Sequence, residues 1–268
     1  MSSDNSGQKP AAPEAGLPPG STRGPARDAL AAVHNLEALL RNASVPHATL
    51  VDLLPELKAG AATLRGQFDR RPAGDEATAQ VAGHGRRQVD ELDLLLDAIE
   101  TSGDTRESLA ARTASLAYEL EASEDLLALL DRAAASVFTE VGLRLIATEA
   151  GRGAARGRVI TVRLDAPSAD EVVTTDPYLL GPLLALLVAY VDAAGVGSLA
   201  LRARSGPPAE LLVEAARPED DALPALVMRV RPWILSSEPA VRRIAGHLGA
   251  RLDLAAVRGS ITLGVSGG

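Results

Sequence analysis

The sequence predicts an α + α/β protein: an N-terminal helical hairpin or bundle followed by an α/β sandwich with a mixed sheet. Three observations predict it. Up to about residue 135 apolar residues recur at helical spacing, and after Ser136 short β-type runs alternate with helical ones. Hydrophobic residues make up 46% of the chain but aromatic ones only 2%, so the core is Leu, Val and Ala, which suits packed helices better than an aromatic-rich β-sandwich. With 268 residues there is room for one large domain or two small ones.

Residues 1–25 are Ser, Gly, Pro, Ala and charge, too polar to offset the entropy of ordering, and are expected to be disordered. From Asp28, Leu30, Val33, Leu36 and Leu40 share a helical face. After a break at Asn42–Pro46 the series Leu50, Leu53, Leu57, Ala61, Leu64 and Phe68 follows, with Pro55 expected to kink it or restart it. Arg70–Glu76 reads as a linker. Val89, Leu92, Leu96 and Ile99 mark the next helix, and Leu109, Leu116, Leu120, Leu127 and Leu130 the one after a Thr101–Asp104 turn. These two form a hairpin whose narrow seam needs cover, from the first helices or from a second copy; a two-fold homodimer through the hairpin is the expectation. Glu121, Glu124 and Asp125 read as a solvated acidic face.

The boundary between the halves falls near Ser136–Glu140, giving a helical dimerisation or phosphotransfer-like region over 26–138 and a second domain over 139–268. Val141–Ala150 is expected to be helical, Val159–Leu164 and Val172–Thr175 to be strands. Pro177–Ala194 is a buried helix with Pro at its start and Gly195 as its stop. Leu199–Arg204 and Glu210–Ala215 form one hairpin, Leu252–Val257 and Ile261–Val265 another, with the helix Pro239–Leu248 between them, ended by Gly249.

Several functions are excluded or disfavoured by composition. There is no cysteine, hence no disulfide or thiolate chemistry, and the four histidines show no metal-ligand spacing. A net charge of −8 argues against nucleic-acid binding. The longest apolar run, Leu179–Tyr190, is too short to span a bilayer, and no signal peptide is visible; the expected location is the cytoplasm.

Three stretches carry a family resemblance. Val172-Val173-Thr174-Thr175-Asp176-Pro177-Tyr178-Leu179-Leu180 looks like a "v-x-x-D-p-x-x-L" lead. Leu183 to Ala193, LLALLVAYVDA, looks like "L-L-x-N-L-L-x-N-A-x-D-A". Glu238 to Leu252 looks like "L-x-x-V-R-R-I-A-x-x-H-G-G-x-L". Together they resemble the core of bacterial sensor histidine kinases, a dimerising hairpin followed by a GHKL-type ATPase domain, over roughly residues 80–266. The resemblance implies an Asn-bearing helix that holds Mg²⁺ and positions the attacking group; the matching positions here are Ala185 and Ala189, whose methyls offer a cation no lone pair. Asp176, Asp192 and Asp220 are the remaining positions of the nucleotide site that the resemblance implies. The family's D-x-G-x-G element lacks its glycines here, since none occurs between Gly206 and Gly246.

The phosphoacceptor candidates are His34 and His84. His34-Asn35-Leu36-Glu37-Ala38-Leu39-Leu40 resembles "H-D-F-N-N-L-L" of one kinase subgroup, but stands too far from the second half. His84 stands at the family's distance, just before the hairpin, without the acidic neighbour and downstream Pro of H-E-x-x-x-P. The implied function is two-component or phosphorelay signalling on a histidine-kinase scaffold without a bound cofactor, as a pseudokinase, a scaffold or a histidine phosphotransferase acting on a response-regulator receiver domain. A divergent kinase using ATP and Mg²⁺ and a non-enzymatic helical adaptor are the alternatives.

Overall fold

A computed structural model describes residues 24–71, 75–101, 104–142, 145–146, 150, 157–165, 172–204, 208–231, 233–234, 237–255 and 257–263. The expected tail over 1–25 therefore lies almost wholly outside the described residues. Four helices come first: α1 (Pro25–Arg41), α2 (His47–Asp69), α3 (Glu76–Thr101) and α4 (Arg106–Ala133). Pro25 starts α1 at the position where a missing N–H costs nothing. Pro55 is absorbed inside a continuous α2 rather than ending it. Thr105 caps α4, its side chain accepting from the Ser108 N–H. Such a cap is worth about 1 kcal/mol.

The four helices close a ring in which α1 packs on α2 and α4, and α3 on the same two. The predicted stripes meet inside it, with one correction of a single step: Leu54 rather than Leu53 is the buried residue of α2. The seam of the α3–α4 hairpin is thus covered by α1 and α2 of the same chain. Each Leu sealed in this way contributes roughly 1.5–3 kcal/mol.

The second half begins with a strand where a helix was expected. Thr139–Gly142 (β1) pairs antiparallel with β3 (Val172–Thr175), Val141 opposite Val173, as a separate two-stranded ribbon; helix is seen only beyond it, at Leu145, Ile146 and Ala150. The main sheet has six strands: β2 (Arg158–Leu164), β4 (Leu199–Arg204), β5 (Ala209–Ala215), β6 (Ala225–Val230), β7 (Ala250–Ala255) and β8 (Arg258–Leu263). Their order is β6-β2-β4-β5-β8-β7, with β2–β4 parallel and the other pairs antiparallel. β6 is an edge strand that was not among the expected ones. The last hairpin sits two to three residues earlier than expected, and Val265 lies outside the described residues.

Helices α5 (Pro177–Ala193) and α6 (Ser237–His247) cover one sheet face. Both end as expected on glycines with positive φ, Gly195 at 80° and Gly249 at 63°, a conformation that L-residues avoid. α6 also touches α3 and α4, and its Arg243 reaches Asp75 at 2.9 Å beside the start of α3. The α/β domain is therefore seated on the bundle.

Candidate functional site

The residues singled out from the sequence divide between two sheet faces. Asp176, Ala185, Ala189 and Asp192 belong to α5 or its cap; Asp220 does not join them. A Cβ on Gly259 would collide with Leu187 of α5, so that face of the sheet is the α5 face. Gly259 pairs with Val213 and Val213 with Leu201, so Arg202, next along β4, points the opposite way. Asp220, in the short 3₁₀ turn Pro218–Ala222, is bound to that Arg202 at 2.6 and 2.7 Å. It also accepts from the Arg217 backbone N–H at 2.8 Å. That backbone bond, and then the Arg202 guanidinium, hold its carboxyl below the usual carboxylate range. Asp220 is a buried structural anion behind the sheet.

Asp176 is fully buried and structural as well. It caps α5 by accepting from the Tyr178 N–H and ties the interdomain connection by accepting from the Val137 N–H, both at 2.9 Å. Arg132 of α4 stands 3.6 Å away, its guanidinium 4.7 Å from the Tyr178 ring centre.

Ala185 and Ala189 face the space between α5 and α4. Two hollows open there. One, of about 260 Å³, is lined by Leu126, Leu129, Pro182, Ala185 and Leu186 among others. The other, of about 380 Å³, is lined by Tyr118, Ala189, Asp192, Val230, Arg231 and Trp233 among others. Asp192 is the one carboxylate of α5 beside Ala189, and it is held by Arg158 at 2.9 Å. Mg²⁺ demands several oxygens in near-octahedral array. Two methyls and one arginine-bound carboxylate do not fit that demand. No cluster of three or more His, Asp or Glu suited to a metal occurs among the described residues.

The segment after β5 closes this space. β6 joins the sheet beside β2, and beyond it Trp233 meets Tyr190 of α5 edge-on, ring centres 5.0 Å apart. Arg231, only 14% exposed, crosses to α4. Its guanidinium lies 3.2 Å from Glu121 Oε1 and 2.5 Å from Asp125 Oδ2, and donates to the Glu121 carbonyl at 3.0 Å. The acidic face read as solvated is in fact half-buried at this contact, a correction with a plain cause: its cation lies 110 residues away in sequence. Burial pushes the Asp125 carboxyl up to about 6, against the pull of Arg231. Sequence reasoning missed Arg231 as a clasp, since a lone arginine carries no pattern.

The two histidines lie on either side of α4. His34 Nε2 is 3.2 Å from Glu121, its ring edge-on to Tyr118, and its side chain is 6% exposed. His84 Nε2 is 2.9 Å from Glu119, with 12% exposure. His84 does not precede the hairpin as expected; α3 starts at Glu76 and carries it on its third turn. Each imidazole thus has a carboxylate the local sequence did not supply.

The fold is similar to that of a crystal structure of a histidine kinase from Burkholderia phymatum STM815, at 19% sequence identity and a TM-score of 0.33, over 74% of this chain and 99% of that one. No family model matches the chain, and no curated protein does. No helix among the described residues is long and apolar enough to cross a membrane.

Proposed function

We propose that this chain is a two-component signalling protein on a histidine-kinase-type scaffold that works without ATP, through contact with a response-regulator receiver domain. One observation carries the reading: the α5 row that would have to hold a metal–nucleotide presents the Ala185 and Ala189 methyls to α4, under a segment clasped by Arg231 and Trp233. Asp220, the residue left to read a base, is spent on Arg202 behind the sheet. Calorimetry with Mg²⁺–ATP tests this. The expected result is no binding tighter than millimolar; tighter binding would favour the divergent kinase instead.

A phosphotransfer role is favoured by one further observation, the His84–Glu119 pair on the bundle. A carboxylate beside an imidazole orients the ring and takes its proton as the other nitrogen attacks. In such a transfer the acyl-phosphate O–P bond of a phosphorylated receiver breaks as the N–P bond forms, and the aspartate leaves as carboxylate. A phosphorylated receiver domain is expected to label the wild type and His34→Ala but not His84→Ala. Labelling of none of the three leaves the scaffold role, and partners lacking receiver domains would point to the helical adaptor.

A further inference from the structure

Helix α3 carries a glycine on each side of His84, well inside its 26 residues. Glycine is the poorest helix former after proline, so each of the two needs a reason. Gly85 has one in packing. A Cβ there would stand 2.5 Å from the Phe68 ring, so the bare backbone lets α2 close on α3. Gly83 has no such reason. Beyond its two chain neighbours and the backbone of its own helix, the one atom among the described residues within 4 Å of a Cβ built there is Arg87 Nη1, at 3.9 Å. Gly83 therefore leaves a notch in the surface of α3 beside His84, and the Arg87 guanidinium folds back along the helix to its rim.

Arg87 stands three residues after His84, a spacing that makes the two side chains neighbours on the helix surface. It is exposed, and it makes no hydrogen bond or ion pair among the described residues. Arg86, next to it, is occupied: it donates to the Ala82 carbonyl at 3.3 Å and lies 3.7 Å from Asp69. The charge bonded to the imidazole is negative, from Glu119 at 2.9 Å. A carboxylate suits a ring that must give up a proton. It repels a phosphoryl group, whose charge is spread over three oxygens. An acceptor histidine in this place needs a cation as well, and a guanidinium matches phosphate oxygens two at a time.

We propose, resting on the phosphotransfer reading above, that Gly83 and Arg87 form the phosphoryl-receiving notch of His84: Arg87 grips the oxygens of the transferring group, and Gly83 keeps open the space it enters.

Potassium phosphoramidate tests this on the whole protein without a receiver domain. Its P–N bond breaks and ammonia leaves as Nδ1 of the imidazole forms the new N–P bond, while the Nε2 proton passes to Glu119. Labelling is read as the phosphoryl mass gain of the intact chain, and its loss in His84→Ala places it. Arg87→Ala should be labelled at least about tenfold more slowly than the wild type, as for a lost hydrogen bond to a charged group. Arg87→Lys, which keeps the charge, should recover part of the rate. Gly83→Leu fills the notch with a better helix former. It should unfold no earlier than the wild type on heating and yet be labelled more slowly, the reverse of what a merely structural position would give. A wild-type rate in Arg87→Ala or in Gly83→Leu would overturn the proposal while leaving His84 as acceptor. No label on His84 in the wild type removes the phosphotransfer reading, and the notch with it.

Discussion

His34 and His84 are built alike and placed differently. Each projects from a first helix of a hairpin, and each Nε2 is bonded to a glutamate of α4, Glu121 and Glu119, two residues apart. His34, however, lies toward the Arg231 clasp, and its carboxylate is shared with the α/β domain. His84 stands on α3, and its partner Glu119 also accepts from the Ser115 hydroxyl, 3.4 Å away. Local sequence favoured His34; position in the assembled molecule favours His84. A motif says what a side chain could do, whereas burial and the partner of its partner decide what it is free to do.

The largest way to sharpen the contrast is to remove what makes the His34 side special. Arg231→Ala leaves Glu121 and Asp125 without their shared guanidinium, and a loss of about 3 kcal/mol in denaturant unfolding is expected. Next comes the pair itself. His34→Ala should cost about 2 kcal/mol, through the lost Glu121 bond and the space left against Tyr118. His84→Ala should cost about 1 kcal/mol or less, and equal losses from the two would break the comparison. The smallest effect is a matter of sign. Asp125 is raised and Asp220 lowered, so they oppose each other on acidification. The Asp125 contribution grows as pH falls toward 5, while that of Asp220 is held above its unfolded value and lost as pH falls below about 4. Asp220→Asn should therefore flatten the acid limb of stability, and Asp125→Asn the limb near neutrality, in urea unfolding followed against pH.

Most helices were legible because each carries one buried stripe and ordinary stops: the Asn42–Pro46 break, the Thr101–Asp104 turn, Gly195 and Gly249. The antiparallel hairpins were legible for the same local reason. What was not legible is long-range. The stripes on α3 and α4 show that a seam exists but not whose helices cover it. β6 was passed over because Leu226 and Val227 put apolar residues on both faces, which breaks strand alternation. At the candidate site the two alanines could be read directly as missing oxygens. Asp220 could not be placed behind the sheet without the register of β4, β5 and β8, and the clasp joins residues with no sequence relation to one another.

The bundle has a consequence of its own. Four helices strung on one polypeptide meet at the high effective concentration set by short connections, so their assembly is a first-order event that dilution does not undo. They also need not match. A bundle made from two identical hairpins repeats every surface twice, whereas here the α3–α4 hairpin was free to become the seat for the α/β domain while α1 and α2 only complete the bundle.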